Sequence, residues 1–85
     1  MRKRYEVGVS REVVKALRRF PKEARGGIQK AIEDLAGSPR PRGCKKLDED
    51  IYRIRVGRDY RVIYAINDEE KTVSILKAST REGAY

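Results

Sequence analysis

Apolar and polar positions alternate along Ile51-Tyr52-Arg53-Ile54-Arg55-Val56 and again along Tyr60-Arg61-Val62-Ile63-Tyr64-Ala65-Ile66, with Gly57-Arg58-Asp59 between them. A period of two marks a half-buried strand, so this stretch predicts a β-hairpin. Tyr52, Ile54 and Val56 share one side of the first strand; Tyr60, Val62, Tyr64 and Ile66 share one side of the second. Both apolar sets reach the same face only if Val56 lies opposite Tyr60 and Ile54 opposite Val62. That register leaves a three-residue loop, a common hairpin length. It also sets Arg55 directly opposite Arg61, with Arg53 beside them. Like charges facing each other across a sheet are destabilising. A face that gathers them is expected to receive an anion, and a phosphate is the natural candidate.

The remaining pattern supplies the rest of a small fold. Tyr5, Val7 and Val9 alternate with Glu6 and Gly8 and predict a short first strand. Ser10 is placed to N-cap a helix, with Glu12 in its first turn; Val13, Leu17 and Phe20 recur at helical spacing, with Ala16 alongside. Pro21 suits the start of a second helix, whose apolar stripe is Ala24, Ile28, Ala31 and Leu35, with Ile32 beside it. Gly26-Gly27 interrupts this helix at roughly 1 kcal/mol per glycine relative to Ala, which predicts a kink or a close helix–helix approach. Gly37 reads as the C-cap and Pro39 ends the pattern. Ser38-Pro39-Arg40-Pro41-Arg42-Gly43 is a stiff connector. Lys45-Lys46-Leu47 begins the sheet, Asp48-Glu49-Asp50 is an acidic turn, and Asn67-Asp68-Glu69-Glu70 turns the hairpin into a strand over Thr72–Ala78. Tight turns make antiparallel neighbours. The expected class is α+β: an N-terminal strand, then an antiparallel helical hairpin packed on one face of a small, mainly antiparallel sheet, with the arginines on the other face.

Length and composition narrow the function classes. The chain of 85 residues is expected to form a single domain over 1–85. At 39% hydrophobic and 40% charged, it is polar yet too periodic to be disordered. A net charge of +8 favours acidic partners such as nucleic acid, an anionic surface or an acidic protein; the plainer reading is a solubility device. Cys44 is the only cysteine and there is no histidine, which excludes an internal disulfide and a zinc site of the usual ligand types. It also removes the commonest general base. Met1-Arg2-Lys3-Arg4 is followed by Tyr5-Glu6-Val7-Gly8, not by the apolar run of a signal peptide, and no run approaches transmembrane length. The expected location is the cytoplasm, with no membrane partner, metal or cofactor.

The helical pair around Phe20-Pro21-Lys22-Glu23, the Ser38-Pro39-Arg40-Pro41 loop, Lys45-Lys46-Leu47, Tyr52-Arg53-Ile54-Arg55-Val56-Gly57 and Asp59-Tyr60-Arg61-Val62-Ile63-Tyr64 occur in the order in which similar segments occur in toxins of the RelE/ParE superfamily. The chain resembles these toxins over essentially its whole length, the hairpin being the most specific part. The resemblance implies the toxin of a type II toxin–antitoxin pair. RelE-like members enter the ribosomal A site and cut mRNA; ParE-like members share the fold and poison DNA gyrase. Arg81 and Tyr85 stand where RelE-like tails carry an arginine and then a tyrosine, and the tail from Lys77 to Tyr85 is similar to archaeal RelE tails. The resemblance therefore implies a ribosome-dependent endoribonuclease that inhibits translation, with the ribosome, mRNA and an acidic RelB-like antitoxin as partners. A ParE-like gyrase inhibitor and a non-catalytic RNA- or ribosome-binding relative are the alternatives.

Cleavage of RNA through its own 2′-hydroxyl needs a base, cations around the phosphorus and an acid at the leaving 5′ oxygen; preorganised charge usually contributes most. Arg61 and Arg55, with Arg53, are candidates to hold the phosphate through planar bidentate donors. Arg81 would close the site, and Tyr85 would stack on a base or exchange a proton. Arg61, Arg81, Arg55 and Tyr85 are thus the candidate catalytic set. Arg53, Lys45, Lys46, Arg58, Arg11, Lys15 and Arg18 are candidate RNA contacts, the last three gripping phosphates from the first helix without reading sequence. For that helix face the plainer reading is the wet side of an amphipathic helix; for the strand arginines it is a guarded, solvated sheet surface. Some active relatives carry lysines where Arg53 and Arg55 stand, and many carry a histidine where Thr80 stands. An arginine cannot move a proton as a lysine can, so proton transfer would fall on Tyr85, Lys45, Lys46 or the ribosome. Tyr52, Tyr60 and Tyr64 share the apolar face and are read as core.

Overall fold

The computed structural model describes residues 4–80. Arg81 and Tyr85 lie outside them. Seven elements follow in the order β1 (Glu6–Val9), α1 (Arg11–Arg19), α2 (Lys22–Leu35), β2 (Lys45–Asp48), β3 (Ile51–Val56), β4 (Tyr60–Asn67) and β5 (Thr72–Thr80). The strands form one sheet in the order β1-β5-β4-β3-β2. All neighbours are antiparallel except β1, which runs parallel to β5 at the sheet edge. Tight turns force the antiparallel pairs; the helical excursion between β1 and β2 allows the parallel one.

The helices form where their capping chemistry directs. The Ser10 hydroxyl accepts a hydrogen bond from the Val13 amide at 3.2 Å, satisfying one of the orphan donors at the start of α1. Pro21 caps α2 without a side-chain hydrogen bond, and the C-cap is Ala36 in a right-handed conformation. Gly37 follows it and does not take the positive φ of a left-handed cap, so the expected glycine cap is displaced by one residue. Gly26 and Gly27 do not bring two helices together. A Cβ on Gly26 would meet open space, and one on Gly27 would meet only Val56 Cγ1 of β3, at 3.6 Å.

The core lies between the helices and one face of the sheet. Val13, Phe20, Ile28, Ile32 and Leu35 from the helical side meet Ile54, Val62, Tyr64, Ile66, Val73, Ile75 and Ala78 from the sheet, all buried. Tyr64 is fully buried and Tyr52 and Tyr60 are partly so, as their shared face requires. Burial, followed by interaction with Cys44, raises the Tyr64 hydroxyl above its ordinary pKa, and that hydroxyl donates to the Pro39 carbonyl at 2.7 Å.

One polar clasp ties the connector to the sheet. Arg40 donates from both terminal nitrogens to the Asp68 carboxylate, at 2.8 and 3.2 Å, and from Nε to the Tyr52 hydroxyl at 3.1 Å. Its guanidinium also lies over the Tyr52 ring, 5.2 Å from the centroid. The Tyr5 hydroxyl donates to the same carboxylate at 2.6 Å. Hydrogen bonds from Arg40 first, and from Tyr5 second, hold Asp68 at a pKa of about 2. The segments before β1, after α2, in β3 and after β4 thus converge on the Arg40–Asp68 pair.

Two stability measurements follow. Asp68 has a folded-state pKa of about 2, below the ordinary aspartate value. Its contribution is therefore complete above about pH 4 and is lost as the pH falls towards 2. Thermal unfolding between pH 2 and 7 is expected to show Asp68→Asn with a lower Tm at pH 7 and a shallower acid loss than the parent chain. Gly26→Ala, on an open helical surface, is expected to raise stability by about 0.5–1 kcal/mol in urea unfolding.

Candidate nucleic-acid interface

The β3–β4 register is Val56 opposite Tyr60, Ile54 opposite Val62 and Arg55 opposite Arg61. The apolar pattern demands it: slipping by one residue would expose every core side chain of one strand and bury its arginines. Arg53, Arg55 and Arg61 consequently stand on the face away from the helices. Directly opposed side chains on a sheet sit about 5 Å apart at Cβ, so the Arg55–Arg61 pair concentrates positive charge within the reach of one phosphate.

Register carries this charge across the sheet in two rows. The first runs Lys45, Arg53, Ile63, Lys77 over four strands; the second runs Arg55, Arg61, Ser79 over three. A bulge makes the rows possible. Ile63 pairs with Lys77 but Tyr64 pairs with Ile75, leaving Leu76 as an extra residue in β5. Before the bulge Val73 and Ile75 point into the core; after it Ala78 does, opposite Val62. Without the extra residue, Lys77 and Ser79 would share the phase of Val73 and Ile75 and point inward. Sequence reasoning missed Lys77 as a member of the site. The available signal was the change of apolar phase between Ile75 and Ala78.

Among the described residues no carboxylate forms an ion pair with these arginines. The ion pair among the described residues is Arg40–Asp68, remote in sequence from Arg53, Arg55 and Arg61. The Nε atoms of Arg53 and Arg61 are buried and have no hydrogen-bond partner among the described residues. Buried donors without partners are uncommon in folded proteins, and here they belong to two cations on the same face. Arg55, Arg58, Tyr60 and Arg61 line a cleft of about 230 Å³ at the hairpin end of this face. Arg58 joins it from the β3–β4 turn, where Gly57 adopts φ +63°.

The other candidate residues divide. Lys45 pairs with Arg53 and belongs to the charged face; Lys46 pairs with Tyr52 and so points to the opposite side, which separates the two lysines. Arg11, Lys15 and Arg18 are exposed on α1. That helix packs on the core face, so they form a separate basic patch and do not join the arginine rows. Cys44 is half-buried and unpaired. Among the described residues no group of three or more Cys, Asp or Glu side chains converges to hold a metal ion, and no helix is long and apolar enough to cross a membrane.

Comparison with known proteins adds lineage to this geometry. Residues 7–85 match the family model described as the ParE toxin of type II toxin–antitoxin system, parDE. The chain is 31% identical over 87 aligned positions to "Putative toxin RelE1" of Methanocaldococcus jannaschii, with 96% of each chain covered. Among solved structures it is similar to the archaeal RelE–RelB complex from Pyrococcus horikoshii, at 36% identity and a TM-score of 0.80, covering 94% of this chain and 98% of that one. It is also similar to the toxin–antitoxin complex RelBE2 from Mycobacterium tuberculosis, at 28% identity and a TM-score of 0.79, with 92% and 99% covered. The two-helix, five-stranded fold and the matches along nearly its whole length agree: this chain belongs to the RelE/ParE superfamily of type II toxins.

Proposed function

We propose that the protein is a ribosome-dependent endoribonuclease of the RelE type, cutting mRNA by attack of a ribose 2′-oxygen on the adjoining phosphorus. The observation that carries this reading is the cleft of Arg55, Arg58 and Arg61, three guanidinium groups without a carboxylate partner among the described residues. Attack on phosphorus builds negative charge on the non-bridging oxygens. Arg55 and Arg61, opposed across the hairpin, offer bidentate donors to those oxygens. Their positions are set by strand pairing, so little reorganisation accompanies the transition state. Arg53 and Lys77 extend the positive surface along the RNA backbone.

Charge stabilisation and proton transfer are separate services. A guanidinium effectively cannot release a proton, whereas an ammonium can. Lys45 and Lys77, in the row with Arg53, are the described lysines of this face. The expected proton donors are therefore Lys45, Lys77 and the tail residue Tyr85, with the ribosome completing the site. The basic patch of Arg11, Lys15 and Arg18 would hold ribosomal RNA from the other side. A RelB-like antitoxin is the expected partner: solved relatives are RelE–RelB complexes, and a chain of net charge +8 attracts an acidic, largely disordered segment that folds on binding.

Translating ribosomes programmed with a defined mRNA test the proposal. Cuts in phase with codons are expected, and Arg61→Ala and Arg55→Ala should each reduce the cleavage rate about 100-fold. Uncut mRNA on stalled ribosomes would replace cleavage by binding alone. Normal translation with gyrase-linked DNA breaks would favour a ParE-like gyrase inhibitor instead. In a separate measurement, single-stranded RNA affinity should fall with salt, and Arg61→Ala should reduce the slope of log K against log salt by about 0.7.

A further inference from the structure

A second cleft, of about 400 Å³, adjoins the arginine cleft around the hairpin tip. Helix α2 supplies one wall through Glu23 and Gly27; β3, the turn and the start of β4 supply the other through Val56, Asp59 and Tyr60. Arg58 and Tyr60 line both clefts. A nucleotide chain whose phosphate rests on Arg55, Arg58 and Arg61 therefore carries its neighbouring sugar and base to the mouth of this second space.

The lining suits a base and not a second phosphate. Val56 and the half-buried Tyr60 offer apolar and aromatic surface, and Glu23 and Asp59 offer carboxylates. Neither carboxylate takes part in an ion pair among the described residues. Beside a phosphate site these charges oppose anion binding, yet they accept hydrogen bonds from N–H donors, which phosphates lack. Unstacked RNA bases are commonly read on their Watson–Crick edges. Guanine alone among the four presents a ring N–H and an amino group side by side there, and one carboxylate accepts both. Helix-end electrostatics also favour Glu23 in the first turn of α2, so Asp59 is the more diagnostic of the two.

Gly27 points the same way. Its backbone does not need glycine, since its φ is not in the left-handed region, and a Cβ would make ordinary contact with Val56 Cγ1 at 3.6 Å. A glycine inside a helix costs about 1 kcal/mol against Ala. At this wall the missing side chain leaves the cleft open.

We propose that the cleft between α2 and the β3–β4 turn binds the base next to the phosphate held by Arg55, Arg58 and Arg61, and that Asp59, assisted by Glu23, selects guanine. This rests on the RNA reading above but concerns binding and needs no ribosome. The experiment is fluorescence anisotropy of the purified chain with labelled four-nucleotide RNAs carrying a single guanosine, inosine, adenosine or uridine. Inosine keeps the ring N–H and lacks the amino group.

Guanosine RNA is expected to bind about tenfold more tightly than inosine RNA, the scale of a good bidentate contact. Asp59→Asn should equalise the two while leaving inosine RNA within twofold of its parent affinity, and Glu23→Gln should narrow the gap. Gly27→Leu should weaken guanosine RNA to the inosine level with the circular-dichroism spectrum retained. Equal binding of all four RNAs, with Arg61→Ala weakening them alike, would overturn the base pocket and leave the phosphate site standing. Binding that ignores both Arg61→Ala and base identity would overturn both.

Discussion

The antiparallel pairing of β3 with β4 is the constraint on which the rest depends. Burying Ile54, Val62, Tyr64 and Ile66 on one face obliges Arg53, Arg55 and Arg61 to share the other, because side chains alternate with a period of two. The hydrophobic effect thus enforces an electrostatic arrangement that would not form unaided. Core burial is worth about 1.5–3 kcal/mol per large apolar side chain, whereas repulsion between opposed, solvated charges costs a fraction of that. The core wins, and the hairpin carries concentrated charge to a fixed position.

Two irregularities extend the charged face of that plain sheet. The extra residue at Leu76 changes the phase of β5, so its first half packs against the helices while Lys77, exposed, and Ser79, buried, lie on the opposite side in line with Ile63 and Arg61. The turn at Gly57 brings Arg58 to the end of the arginine row. Neither feature adds to the core. Both extend the charged surface, one across strands and one around the tip.

Several acidic and amide side chains serve the framework away from this surface. Asp68 is committed to Arg40 and Tyr5, locking the connector after α2 against the far end of β4. Asp48 and Asn67 serve their turns, accepting from the Glu49 and Glu70 amides. Among the described residues no carboxylate pairs with Arg53, Arg55 or Arg61, which leaves their guanidinium donors available, and the Nε atoms of Arg53 and Arg61 are buried without a hydrogen-bond partner there.

Much of this was legible from residue order. The period-two runs determined the hairpin and its register, and with it the opposition of Arg55 and Arg61, because only one alignment places both apolar sets on one face. Ser10 and the apolar stripes determined the two helices through local hydrogen bonding and helical spacing. Non-local geometry decided the rest. The parallel docking of β1 on β5, the bulge at Leu76, the separation of Lys45 from Lys46 and the distance of the α1 cations from the arginine rows depend on which elements become neighbours. So does the Arg40–Asp68 clasp, whose members are 28 positions apart. Periodicity records which face of an element is buried; it does not record which partner buries it, and these features belong to the partners.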